Sequence, residues 1–555
     1  MRNGRFWLGL GVVATGAVSP AWPETLYNGI QLPAEWPPRH QPVTAEPPAP
    51  PPYLVSPPAV IPIDLGRQLF VDYFLIEDTN LRRHFHKAQP YAANPVIRPD
   101  RPWERYGNRG EAMAFSDGVW YDPVDRYFKA WYIAGQDTAT ALARSDDGVH
   151  WEKPLFDVVP GTNIVLPGKR DSGVVWLDQE EKNPQRRFKF VYSHKQDKPL
   201  SLYYSADGIH WGQEIALSPL MGDRTTAFWN PFRKVWVLSL RTAGPGPRPV
   251  GGYKLPGDSV RMRHYLENPD LAAAMHWQPS DPVPWVGADR LDPVRIDLGV
   301  RDELYNLDAV GYESVMLGLF SIWHGQRDRN VADKPDEISL GFSRDGFHWD
   351  RPYRAAFIPV SEDAGAWNHS NVQSVGGGCL VVGDRLYFYM SGRSGAPHGP
   401  GDNSTGLATL RRDGFVSMDA GSAVGFLTTR PVRFHGRYLF VNVASADGEL
   451  RAEVLDANNQ PIAPFTLENS VPARVDNTLQ AMTWRGGGDL SALAGQPVKF
   501  RFSLRDGSLF SFWVSPETTG ASHGYVAAGG PGFTGPTDTV GAAIYEHGFA
   551  RRSLN

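Results

Sequence analysis

One cysteine in 555 residues, Cys379, leaves no partner for an internal disulfide and no thiolate set for a metal ion. It follows Gly376-Gly377-Gly378 in an apolar run and is expected as a small buried hydrophobe. An excess of charge of one sign is also lacking. Lys and Arg number 55 against 60 Asp and Glu, a net charge of −5, so the electrostatic footprint of a nucleic-acid or anionic-membrane binder is missing. No segment is apolar enough for a membrane span. The stretch from Phe6 to Val18 comes closest, but it is too short. With Arg2 and Arg5 before it and the small residues Ala17, Ser19 and Ala21 at its end, residues 1–21 have the layout of a cleavable signal peptide. The expectation is a secreted or periplasmic protein, without a lipid anchor because no cysteine follows. Neither a cofactor nor a metal is called for.

Proline, glycine and tryptophan are abundant: 48, 57 and 18 residues. Twelve of the prolines fall between Pro33 and Pro62, and such a density favours extended polyproline II. Residues 22–63 are therefore read as a linker, a tether or wrapping arm, and not as a domain. The remaining prolines and glycines fit a chain with many tight turns.

Those turns repeat. Ser145-Asp146-Asp147-Gly148-Val149-His150-Trp151, Ser205-Ala206-Asp207-Gly208-Ile209-His210-Trp211 and Ser343-Arg344-Asp345-Gly346-Phe347-His348-Trp349 share Ser-x-Asp-Gly-x-His-Trp, and Arg411-Arg412-Asp413-Gly414-Phe415 is a degenerate fourth copy. Asp-Gly turns antiparallel strands because Gly accepts positive φ and Asp bonds its own turn. The Trp offers an apolar face to a neighbouring unit. Alternating segments precede each turn: 112–120, 127–133 and 139–144; then 172–177, 188–193 and 200–205. A third unit runs from Asp223 through 235–241 and has lost the Asp-Gly turn in 260–277. A fourth takes 305–312, 315–323 and 338–343, and a fifth takes 371–375, 380–391 and 406–410. The fold class expected is all-β, a five-bladed β-propeller over 64–424. Alternation in 437–443 and 450–455, and in 498–504 before the Asp506-Gly507 turn, indicates a small β-sandwich over 425–515. The Gly-rich tail 516–555 is expected to lie loosely on the surface.

Four phrases resemble a known group: Gly118-Val119-Trp120-Tyr121-Asp122-Pro123, Phe128-Lys129-Ala130-Trp131-Tyr132, Trp229-Asn230-Pro231-Phe232 and Asp489-Leu490-Ser491-Ala492-Leu493-Ala494-Gly495. With the propeller and sandwich they look like the superfamily of glycoside hydrolase families 32 and 43, in particular bacterial proteins with a family 32 N-terminal-like domain. The resemblance covers about 64–515. The Trp-x-Asn-Asp-Pro-Asn-Gly motif of true fructan hydrolases is absent, so it carries no fructan specificity. It implies a secreted glycoside hydrolase acting on an oligo- or polysaccharide. The alternatives are a non-catalytic carbohydrate-binding propeller and a sialidase-like exo-glycosidase using Arg224, Arg241 and Arg393.

Hydrolysing a glycosidic bond takes two carboxyl groups, one protonated and one ionised. The resemblance implies that they come from the starts of the innermost strands. These places hold Glu111, Asp171, Asp223 and Asp308 as catalytic candidates. Asn306, the Asn368-His369 pair, Arg224, Arg241, Trp323, His324 and Arg393 are candidates for substrate binding, since Arg and His can bind hydroxyls or a sugar carboxylate. Each has a plainer alternative. Asp223 could pair with Arg224 next to it, Asp171 could be an exposed turn residue, and His324 could cap a strand. Asp122, Asp178 and Glu313 fall at the opposite turns, where the expectation is a solvated carboxylate.

Overall fold

The computed structural model describes residues 24–39, 43–135, 138–193, 198–245, 259–295, 302–325, 334–369, 371–395 and 401–545. The expected signal peptide lies outside them. Among the described residues no helix is long and apolar enough to cross a membrane.

The chain is all-β and of propeller type. Antiparallel strands gather in successive groups in chain order, the first and last of which belong to one sheet. The first contains Arg109–Met113, Tyr127–Ala134, Ala139–Ser145 and Ile164–Pro167, and the second Ser172–Leu177, Phe188–Ser193, Lys198–Ser205 and Ala216–Met221. The third is Thr226–Asn230, Val235–Pro245, Ser259–Asn268 and Val283–Gly287. The fourth is built on Glu303–Glu313, Val315–Trp323 and Asp336–Ser343, the fifth on Asn371–Gln373, Leu380–Val382, Arg385–Arg393 and Gly401–Arg411. Gly401–Asn403 of the fifth group pairs in parallel with Arg109–Glu111 of the first, which joins the end of the series to its beginning. Tyr127–Ala134 and Val315–Trp323 are buried almost throughout, because each sheet is covered on both faces by its neighbours.

The repeated turn is what holds the sheets to one another. In the first copy Asp147 Oδ1 accepts from the amides of Val149 and His150, both at 2.8 Å, and Ser145 Oγ accepts from Gly148 N at 2.9 Å. Gly148, Gly208 and Gly346 have φ of 76°, 77° and 81°, so the turn requires glycine there. The carbonyls this exposes are taken by the preceding sheet. Trp131 Nε1 of the first sheet donates to Gly208 O at 2.8 Å, and Trp285 Nε1 of the third donates to Phe347 O at 2.7 Å. Tyr389 Oη of the fifth donates to Gly148 O at 2.6 Å. Trp349 is buried, while Trp151 and Trp211 are half-buried against the same core.

Two more antiparallel sheets share a second core that includes Phe500, Phe502, Phe512 and Val441. They reach outside 425–515. Arg82–Phe85 pairs with Val416–Ala420, Ile76–Thr79 with Gly425–Thr429, and Gln68–Leu69 with Gly507–Ser515. Residues 64–85 thus pair with these sheets and not with the propeller; strands of two to four residues are too short to show alternation.

Three further expectations are corrected. The Pro-rich segment does enter regular structure: Pro52–Val55 is a helical turn, and Ile61–Pro62 pairs with Val432–Arg433. Tyr27, Asn28 and Tyr53 bond backbone carbonyls of Ser314, Arg344 and His348. The Gly-rich tail is not loose. Tyr525–Val526 pairs antiparallel with the end of Glu303–Glu313 in the fourth sheet, and Ala528 and Gly529 bond Tyr121, Cys379 and Val381. These contacts close the tail over the ends of the first, fourth and fifth sheets. Asp122 and Glu313 are not solvated but fully buried; Asp122 is held by Lys129 at 3.0 Å and Arg187 at 2.6 Å. Cys379 is buried, as its setting implies.

Candidate active site at the open end of the channel

The other ends of the innermost strands gather charge. Asp171 stands just before Ser172–Leu177, and Asp223 and Arg224 just before Thr226–Asn230, which brings the second and third sheets together at the channel mouth. The ion pairs are crossed. Asp223 Oδ1 lies 2.7 Å from Arg241 Nη1, and Arg224 Nη2 lies 3.3 Å from Asp171 Oδ1. Asp223 therefore does not pair with its sequence neighbour, and Asp171 is no solvated turn residue. Both keep about a fifth of their side chain exposed (17% and 21%), enough for a ligand to reach them.

Their acidities are driven apart. Burial, with the Asp223 charge nearby, raises Asp171 above the ordinary range despite Arg224. Burial also acts upward on Asp223, but Arg261, Arg241, Arg224 and Lys334 outweigh it and hold that carboxyl below the ordinary range. The two acidities are shifted in opposite directions, the sense of difference that acid–base chemistry uses.

The other candidates are distributed around this pair. Glu111 is buried 3.3 Å from Arg109 and acts electrostatically on Arg393. Asp308 lies five residues beyond Glu303 along the same strand, roughly 16 Å at the usual rise. Its Oδ2 accepts from Asn306 Nδ2 at 2.8 Å and Val375 N at 2.9 Å. Asn306 Nδ2 also reaches Ser116 and Ser374, each at 3.1 Å. Burial pushes Asp308 up to about 6. Asn306 and Asp308 thus form a knot between the first, fourth and fifth sheets, deeper in the channel than the mouth.

His324 is committed on both ring nitrogens, to Asp302 at 3.0 Å and Glu337 at 3.1 Å. Burial would lower its pKa, but these two carboxylates win and raise it to about 10. With no free nitrogen it buttresses the strand end and does not hold hydroxyls, which corrects its assignment to substrate binding. Trp323 faces cations, with Arg261 at 5.4 Å and Lys334 at 5.8 Å from its ring. Arg393 lies over Phe115 at 5.8 Å. Asn368 and His369 sit in the loop before Asn371–Gln373, His369 Nδ1 being 3.1 Å from Ser361 O.

Several residues here escaped the sequence reading. Tyr305 is buried beneath Arg261, 4.5 Å from its ring, and Lys334, 3.5 Å away. Burial raises the buried phenols Tyr132, Tyr265 and Tyr312. Tyr305 is the opposite case: burial is outweighed by Lys334, Arg261 and Arg224, and the phenol falls to about 8. Arg263, deeper still, donates to the carbonyls of Arg224 and Tyr305 and stiffens the two strands. Asn371 Nδ2 donates to Asp336 at 2.5 Å. The paired registers of Val235–Pro245 with Ser259–Asn268 bring Arg241 and Arg263 side by side, a signal that appears only once the hairpin is formed.

A cavity of about 360 Å³ lies elsewhere, between the arm at Pro47–Pro51 and Trp285, Phe347 and Trp349. It is mostly apolar and lacks the carboxylate pair. Among the described residues no group of acidic, His and Cys side chains has the arrangement of a metal site.

No protein-family model and no curated protein matches the sequence. Solved structures similar in fold include a thermostable family-43 glycoside hydrolase, 12% identical over 55% of this chain and 92% of that one, with a TM-score of 0.35. A fructofuranosidase from Schwanniomyces occidentalis is 11% identical over 75% and 96%, with a TM-score of 0.34. A structure from the family of mannoside phosphorylases that contains hydrolases of β-1,2-mannosidic linkages is 13% identical over 59% and 94%, with a TM-score of 0.35. At such scores the likeness carries no weight for function.

Proposed function

We propose that the chain is a glycoside hydrolase with a five-bladed propeller that acts outside the cytoplasm on an oligo- or polysaccharide. Asp171 is the general acid and Asp223 the base or nucleophile. The observation that carries this reading is the Asp171–Asp223 pair, two accessible carboxyls from adjacent innermost strands with opposite shifts in acidity. In the reaction the Asp171 carboxyl gives its proton to the glycosidic oxygen as the bond to the anomeric carbon breaks. The Asp223 carboxylate, aimed by Arg241, either takes the proton of the attacking water or bonds the anomeric carbon first. Arg224 fixes Asp171, and Arg263 fixes the backbone of Arg224.

The test is turnover on a panel of plant, algal and bacterial glycans, followed by Asp171→Asn and Asp223→Asn on the substrate found. Each variant should lose about a hundred- to ten-thousandfold in rate. The pH–rate profile should be bell-shaped, with Asp223 setting the acid limb and Asp171 the alkaline one. Near-wild-type turnover in both variants would shift the chemistry to Glu111 and Asp308.

A further inference from the structure

Three cations at the mouth are not taken up by the Asp171–Asp223 pair. The Arg393 guanidinium has no hydrogen bond or ion pair among the described residues, although Glu111 acts on it electrostatically, and its Nε is buried without an acceptor. Arg261 Nη1 is likewise buried without an acceptor, and the nearest carboxylate to its guanidinium, on Glu303, is 3.7 Å away. Lys334 lies against the Tyr305 ring and feels the charge of Asp336, but among the described residues no carboxylate is in ion-pair contact with it. All three act electrostatically on Tyr305 or are acted on by it. Water and neutral hydroxyls satisfy donors, but they do not offset charge at a half-desolvated site; an anionic group does both.

We propose that the funnel mouth takes an acidic saccharide, whose carboxylate or sulfate group is received by Arg261 and Lys334 over the ring of Tyr305, with Arg393 over Phe115 adding its charge. This rests on the glycosidase reading for what is cleaved, but not for what is bound. The depressed acidity of Tyr305 is what a surplus of positive charge at this place produces. An anion seated there would cancel part of that surplus and return the phenol toward its ordinary value. Of these three residues only Arg393 was visible as a candidate in the sequence. Arg224 and Arg241, grouped with it by the sialidase-like alternative, are occupied by Asp171 and Asp223.

Tyr305 supplies its own reporter. Phenolate absorbance of the whole protein, minus that of Tyr305→Phe, is followed through pH 8 at constant ionic strength in sodium chloride, sodium acetate or sodium sulfate. Acetate or sulfate should raise the midpoint saturably, and Arg393→Gln should weaken that effect about tenfold or more while Arg393→Lys keeps part of it. A midpoint that no anion moves overturns the proposal. A second arm compares turnover on oligogalacturonate and its methyl ester, and on a sulfated galactan oligosaccharide and its desulfated form. Preference for one charged member supports the proposal and tells carboxylate from sulfate. Turnover confined to the neutral members overturns it and leaves the glycosidase reading standing. Saturable anion binding without turnover on any glycan supports it and removes the glycosidase reading instead.

Discussion

The two ends of the propeller channel are built from the same residue types and behave differently. At the sealed end Arg67 and Arg412 meet Glu313, Asp413 and Asp538, all five side chains with no exposure. Arg67 Nη1 lies 3.0 Å from Asp413, Arg412 Nη2 lies 3.0 Å from Glu313 and 2.9 Å from Asp538, and Tyr312, Ser511 and Ser522 bond the carboxylates. Carboxylates outnumber cations, and nothing can reach them. At the open end the surplus is of cations and the carboxyl pair stays accessible. Unpaired donor atoms occur at both ends, on Arg67 and Arg412 as well as on Arg261 and Arg393. An unsatisfied arginine therefore does not mark a site by itself. Access and the sign of the local field do.

The comparison breaks most sharply in the rates. Asp171→Asn and Asp223→Asn should cost about a hundred- to ten-thousandfold in turnover with little change in melting, since the mouth is not what holds the fold. At the sealed end Arg67→Ala should do the reverse. Removing one partner from a buried network costs about 3–5 kcal/mol, read by urea unfolding, while turnover per folded molecule persists. A stable but inactive Arg67→Ala would show that the roles of the two ends are exchanged.

Asp308, between the ends, should give a smaller and pH-dependent effect. Its folded pKa, about 6, lies above the value of a free carboxyl, so its contribution is favourable below about pH 4 and is lost as pH rises through 6. Asp308→Asn should then stabilise the protein at pH 7 by up to about 2–3 kcal/mol, with no gain near pH 4. Melting curves of the two proteins at both pH values check the sign. The smallest effect belongs to Asp178→Asn. Asp178 pairs with the buried Lys189 at 2.8 Å away from the mouth, so the rate should be untouched, and Glu181, 3.1 Å from the same ammonium, should keep the stability loss below that of Arg67→Ala.

What the sequence disclosed follows from the range of the interactions. The Asp-Gly turns were legible because Asp147, Asp207 and Asp345 bond amides two and three residues onward, a pattern contained within one heptapeptide. Strand starts followed from the turns, and with them the positions of Glu111, Asp171 and Asp223. Tyr305, Arg261 and Lys334 were not legible, because their meeting depends on the register between hairpins of two different sheets. The pairing of 64–85 with strands beyond residue 415 spans more than 300 residues and rests on segments too short to alternate. The burial of Glu313 was hidden for the same reason, since Arg67 and Arg412 come from distant turns, and Asp122 has Arg187 besides the nearby Lys129.

The sealed end has a consequence for the order of assembly. Arg67 stands near the start of the described chain and Asp538 near its finish, yet both belong to one buried network with Arg412 and Glu313. Sheets can form singly as the chain emerges, but the clasp cannot shut until residue 538 exists. A chain still growing on the ribosome therefore lacks the Asp538 contact to Arg412 even when Arg67, Glu313 and Asp413 are already in place. Residues 522–538 act as a fastener, and a truncation just before Asp538 should leave a molecule with every sheet present and Arg412 held by Glu313 alone.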